Sequence, residues 1–234
     1  MNRHVIQYRF CLPDSSEVVF DVELDSRTLD LRAPLPNHFP AWTELEFHKC
    51  PHCPLRPEYH SHCPLAVSLV GIVQPFDGLL SHDKIRLDVV MKDRKISADT
   101  SAQRAIGSLM GLVIATCGCP HMAYFKPMAR FHMPLADSEE TVYRAVSMYL
   151  LAQYYLHKEG HEAEFELDGL KEIYKNVQTV NSGIIDRIRS AAEADSTINA
   201  LIILDVYAKT VDLMIEKPLA SIRKLFDSFF TTAK

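Results

Sequence analysis

The chain has 234 residues, 47% of them apolar and 24% charged, with a formal net charge of −5. That length can bury a sizeable core, as one large domain or two small ones, and the composition is that of a globular protein. The mild negative charge and the lack of any Lys/Arg-rich block argue against a nucleic-acid-binding face and against attraction to an anionic membrane.

The first segments, Val5 to Leu12 and Glu17 to Leu24, alternate and are rich in Val, Phe and Tyr. With Pro13-Asp14-Ser15-Ser16 between them they read as a β-hairpin. A loop with Pro34, Pro36 and Pro40 follows, then an expected strand from Thr43 to His48 and a cysteine loop over residues 49–63. Pro64 to Val73 reads as a helix, with Cys63 at its N-cap position and Pro64 at the first helical position, where a missing N–H costs nothing. Lys84 to Lys92 and Arg94 to Ser97 look like strands. A helix from about Thr100 to Cys117 has Asp99 or Thr100 as cap candidate and Gly107 and Gly111 for close packing. Gly118-Cys119-Pro120 ends it.

From about residue 137 the pattern turns helical. Asp137 and Glu140 have capping-box spacing, and Val142, Val146, Tyr149, Leu150 and Gln153 share one face up to Gly160. The next helix starts near Asp168 and keeps the stripe Leu170, Ile173, Val177, Val180, Ile184 and Ile188. A third is expected from Asp195 or Ser196 to Pro218, and a last one carries Leu219, Ile222, Leu225, Phe226, Phe229 and Phe230. The reading is α+β. A small antiparallel sheet with helices occupies residues 1–136, and a bundle of about four helices occupies 137–234, packed as one compact unit.

Nothing in the sequence reads as an export signal. Met1-Asn2-Arg3-His4 leads into alternating residues, and the longest apolar-rich stretch, residues 105–118, falls short of the roughly 18 residues a membrane span needs. The expectation is a cytoplasmic protein. In a reducing compartment its six cysteines point to metal ligation or catalysis, not to a disulfide framework.

Cys50 and Cys53 form a C-x2-C pair, a spacing that lets two thiolates converge from one turn of backbone. Cys63 lies ten residues on. The fourth ligand must come from afar, and Cys119 is the best candidate. Each of these four cysteines precedes a proline. Four thiolates suit tetrahedral Zn²⁺, and as an alternative an iron–sulfur cluster. Cys11 on a strand reads as a small core hydrophobe, and Cys117 as core or a reserve ligand. His48, His62 and His121 are reserve or second-shell candidates; His52, between two ligands, is expected to point outward, and His60 shares the loop.

A second patch lies at Pro127 to Pro134. His132 is a candidate general base or metal ligand, with Glu139 or Glu140 as orienting partner and Arg130 and Arg144 as an anion clamp. The competing reading is plain helix surface chemistry, with Glu140 and Arg144 as an i,i+4 ion pair. No nucleophile motif, phosphate loop or dinucleotide fingerprint appears.

The strings FHKCPHCPL, HCPLA, GCPH and PMARFHMP, followed by EETVYRAVSMYLLAQYY, resemble an uncharacterised bacterial family known only as a domain of unknown function. The resemblance spans nearly the whole chain. It implies a bacterial source, the α+β arrangement, and Cys119 over Cys117 as fourth ligand; it implies no activity. The sequence reading is therefore a metal-binding protein with a mainly structural zinc site. It would act as an interaction or sensory module, with a protein partner or a second copy engaged through the helical half.

Overall fold

The computed structural model describes residues 3–32, 36, 38–76, 78–190, 198 and 219–231. Four strands form one antiparallel sheet: β1 (Arg3–Cys11), β2 (Glu17–Asp25), β3 (Lys84–Met91) and β4 (Arg94–Ser101), in the order β2-β1-β3-β4. The expected hairpin is present, closing at the Cys11–Glu17 pair. Its turn is held by Asp14, whose carboxylate accepts the Ser16 N–H at 2.9 Å. Alternation decides which face is buried. Ile6, Tyr8 and Phe10 on β1 and Leu24 on β2 are fully buried, as are Leu87 and Val89 on β3 to within 1%.

The helices are α1 (Pro64–Val73), α2 (Ala102–Thr116), α3 (Lys126–Arg130), α4 (Ser138–Lys158), α5 (Asp168–Arg189) and the short α6 (Asp227–Thr231). One apolar core joins the inner sheet face to α1, α2 and α5. A smaller cluster of Val142, Val146, Tyr149 and Leu170 holds α4 against the start of α5. The main core therefore draws on residues from both sides of position 137. The capping box on α4 is formed: the Glu140 N–H donates to the Asp137 carboxylate at 2.9 Å, and the Asp137 N–H to the Glu140 carboxylate at 2.8 Å. The helix expected from Asp195 or Ser196 to Pro218 lies outside the described residues apart from position 198. Among the described residues, no helix is long and apolar enough to cross a membrane.

Two local expectations are corrected. Asp99 and Thr100 do not cap α2; they pair in β4 with Arg86 and Ile85. Ser101 holds the cap position without a side-chain bond. The first N–H groups of α2 donate instead to the carbonyls of Asp83 and Ser81, at 2.9 and 3.1 Å. Loop backbone thus takes the place of a cap.

The segment Thr43 to His48 is not a strand. It opens with a 3-10 turn at Ala41–Thr43 and keeps a single bridge between Glu44 and His62. The reason lies on α5. The Arg187 guanidinium, 2% exposed, donates to the carbonyls of Trp42 and Glu44 at 2.7 Å each and of Leu45 at 3.0 Å. Carbonyls turned onto one side chain are not free for a strand ladder. No carboxylate pairs with Arg187 among the described residues; three carbonyl dipoles satisfy the buried charge instead.

Replacing Arg187 with Met would leave three buried carbonyls without donors. Urea denaturation should show a loss of at least about 2 kcal/mol. Arg187→Lys should recover little of it, since an ammonium cannot reproduce the planar fork. An unchanged midpoint for Arg187→Met would disprove this account of the loop.

Candidate functional site

The cysteine loop is folded against two other corners of the backbone. The Cys53 N–H donates to the Cys50 carbonyl at 2.9 Å, which closes the C-x2-C turn. The Cys63 N–H donates to Thr43 at 2.8 Å, and the Cys63 carbonyl receives the first α1 bond, from Val67 at 3.0 Å. Cys63 thus sits at the start of α1. Gly118 ends α2 with φ +87°, a left-handed conformation that side-chain-bearing residues rarely adopt. A Cβ at Gly118 would lie 3.8 Å from that of Pro64, so the α2 exit abuts the α1 entry. On α5, a Cβ at Gly183 would meet the Cys50 Sγ at 3.3 Å and the His48 carbonyl at 3.2 Å. Glycine there lets the helix approach the loop.

Four thiols are brought to this corner. Burial raises the Cys50 thiol to a pKa of about 11, and Cys63, Cys119 and Cys53 each push it further up. Cys119 is also raised to about 11, chiefly by burial, with Cys63 and Cys53 contributing. All six cysteines of the chain are unbridged. As the side chains stand, no group of three or more His, Cys, Asp or Glu among the described residues is arranged to hold a metal ion. Cys117 turns back along α2, its thiol donating to the Ile114 carbonyl at 3.1 Å. Cys11 lies beside Glu17 at the end of β1, half-buried, its Sγ 3.8 Å from the carboxylate.

The histidines divide. His52 does not point outward: its Nε2–H donates to the Asn176 carbonyl of α5 at 3.1 Å. Its ring stacks on His121 with centroids 4.0 Å apart, and the His121 Nε2–H donates to the His52 carbonyl at 3.1 Å. This pair ties the C-x2-C turn to the residue two places beyond Cys119. The Nδ1 of His52 is buried with no partner. Burial and the neighbouring His121 lower the His52 pKa. His62 shares its Nδ1 with the Thr43 hydroxyl at 3.0 Å and stacks on Phe39. His48 packs edge-on to Phe47 and adopts φ +44°. His60 is exposed.

The second patch is rearranged relative to expectation. His132 is bonded at Nε2 to the Tyr8 hydroxyl. That hydroxyl lies 3.0 Å from the Ser108 hydroxyl, which in turn accepts the Leu135 N–H at 3.1 Å. Neither glutamate partners the histidine. Glu140 is spent in the capping box, and Glu139 accepts from the Ser221 hydroxyl at 2.6 Å. The Glu140–Arg144 ion pair is absent as well. Arg144 Nη2 donates instead to the carbonyls of Met128 and Phe131, at 2.7 and 3.1 Å. Arg130 is exposed and lies over the Phe131 ring, so the two arginines form no clamp. Desolvation, the Arg144 charge and His4 together hold the His132 pKa down at about 3. A histidine so depressed is neutral at ordinary pH and a weak base.

His132, Ser108 and Arg144 line a cavity of about 380 Å³ between α2, α3, α4 and α5. Gly107 and Gly111 form part of its wall.

A family model for a domain of unknown function, DUF6901, matches residues 6–227. The chain belongs to this family. No curated protein and no solved structure gave a match. The DUF6901 match covers the sheet, the cysteine corner and the cavity alike, and its description names no activity.

Several residues of this DUF6901 domain's two sites escaped the sequence reading: Arg187, Tyr8, Ser108, Tyr174 and Asn181. Arg187 carried a signal, because it falls on the apolar stripe of α5, three residues after Ile184 and beside Ile188. A charge on a buried face needs partners, and here they are backbone.

The depressed His132 pKa has a consequence for stability. The stability it contributes is fully present above its ordinary value of 6.5 and is lost as pH falls toward about 3, because the unfolded chain then binds the extra proton. Melting curves between those limits should slope downward with acidity in the wild type and less steeply in His132→Gln. Parallel slopes would show that His132 does not titrate in this way.

Proposed function

We propose that Cys50, Cys53, Cys63 and Cys119 together bind one Zn²⁺ in a mainly structural site, and that the protein is a bacterial, cytoplasmic metal-binding module. The observation that carries this reading is the meeting of three backbone corners at these four thiols: the C-x2-C turn, the start of α1 and the end of α2. The donor set fits the ion. Four sulfurs with no carboxylate among them are the ligand set of closed zinc sites. The raised pKa values describe neutral thiols crowding one another; a dication would favour their ionised forms. The side chains would then be drawn together within a corner whose backbone is already assembled. His52 and His121 would brace it from outside, through their bonds to Asn176 and to the loop carbonyl.

A closed four-thiolate shell leaves no position for a substrate. The ion would fasten the loop to α1 and α2, and the biological task would rest on what the scaffold presents. Unbridged cysteines accord with a reducing compartment. Tyr143, Leu151, Tyr154 and Tyr155 on α4 are about half-exposed, which supports a protein partner or a second copy meeting the helical half.

The test is metal analysis of protein purified anaerobically without chelator, with a visible spectrum of the same sample. About one zinc per chain and no visible band is expected. Cys53→Ser should lower metal content and Tm together, whereas Cys117→Ser should keep the metal. Acidification should release the ion as the thiolates protonate. Iron with acid-labile sulfide would replace zinc by a cluster on the same cysteines. Unchanged metal and melting in Cys53→Ser would refute the site.

A further inference from the structure

The cavity between α2 and α5 is separate in its chemistry from the cysteine corner. Its walls are mostly apolar, and a volume of about 380 Å³ lies at the small end of ligand sites. Gly107 and Gly111, one turn apart on α2, form part of the lining.

Three polar side chains on this apolar lining, Arg144, Asn181 and Tyr174, keep donors that no described residue takes up. Arg144 has no carboxylate within ion-pair distance among the described residues, and only its Nη2 is used, on two carbonyls. The side chain of Asn181, in a residue 3% exposed, has no hydrogen-bond partner among the described residues, and it lines the cavity. The Tyr174 hydroxyl, close enough to Arg144 to feel its charge, is likewise without a hydrogen-bond partner there. His132 also lines the space; its Nε2 is bonded to the Tyr8 hydroxyl, which itself donates to the Ser108 carbonyl at 3.1 Å. Among the described residues, no aspartate or glutamate lines the space. An acceptor-only, singly charged group meets the spare donors of Arg144, Tyr174 and Asn181.

We propose that this cavity binds a small amphipathic monocarboxylate, its carboxylate held by Arg144, Tyr174 and Asn181 and its apolar body lying along Gly107 and Gly111. A monoanion is the right charge because, with His132 neutral, Arg144 is the one full charge facing inward among the described residues; Arg104, also on the lining, is exposed and bound to the Leu135 carbonyl. The assignment does not depend on the metal reading.

Calorimetric titration of the full chain with butyrate, hexanoate, octanoate and benzoate tests it, each acid set against its own primary amide. At least one acid should bind with a Kd below about 1 mM and at least about tenfold more tightly than its amide. Asn181→Leu should weaken acid binding about tenfold. Gly111→Leu should abolish binding by filling the space. The proposal is overturned if no acid reaches that affinity, if acids and amides bind alike, or if binding survives Gly111→Leu in a folded protein. It is equally overturned if Asn181→Leu lowers Tm and leaves acid binding untouched, which would make the asparagine purely structural.

Discussion

One buried guanidinium organises the cysteine half of this protein. The carbonyls of Trp42, Glu44 and Leu45 all face Arg187, and a polar main chain can enter a core only if its groups are met there. Because Arg187 meets them, the segment before the cysteine loop can run irregularly along α5 instead of joining the sheet. The Thr43 hydroxyl reinforces this, donating back to the Pro40 carbonyl at 2.7 Å. Thr43 also receives the Cys63 N–H. The anchor on α5 is thereby passed on to the start of α1, where the third cysteine stands.

Helix α5 carries more than this one contact. Asn176 accepts from His52, and Gly183 lets Cys50 approach. Tyr174, Val177 and Asn181 from the same helix line the cavity. One element therefore supports the proposed metal corner along one side and the proposed carboxylate site along another. Any shift of α5 would be felt by both, since packed interiors transmit displacement instead of absorbing it. The two proposed sites share no side chain.

Much of the second patch looked different in sequence because local spacing ranks partners by chain distance. Glu140 and Arg144 are four apart on a helix, so an ion pair was the natural expectation. The capping box held Glu140 at the helix start, where unsatisfied N–H groups compete for it. The freed Arg144 turned inward to carbonyls of Met128 and Phe131. His132 met Tyr8, 124 residues away. A contact over that separation leaves no periodic trace in one sequence, and neither do the roles of Ser108, Tyr174 and Asn181.

What the sequence by itself determined is everything set by short-range chemistry. The alternating hairpin, Pro64 opening α1, Gly118 ending α2, the Asp137–Glu140 cap and the stripe along α5 all follow from steric and hydrogen-bonding rules acting over a few residues. The C-x2-C turn belongs to the same class. Only the tertiary structure decided which distant groups meet. It brought the Gly118–Cys119 corner to the Cys63–Pro64 corner and turned Cys117 back on its own helix. It also denied Thr43 to His48 a strand and left a cavity lined in part by Gly107 and Gly111. Each of these outcomes depends on how buried polar groups find partners across the fold, and that competition is settled only once the whole core has closed.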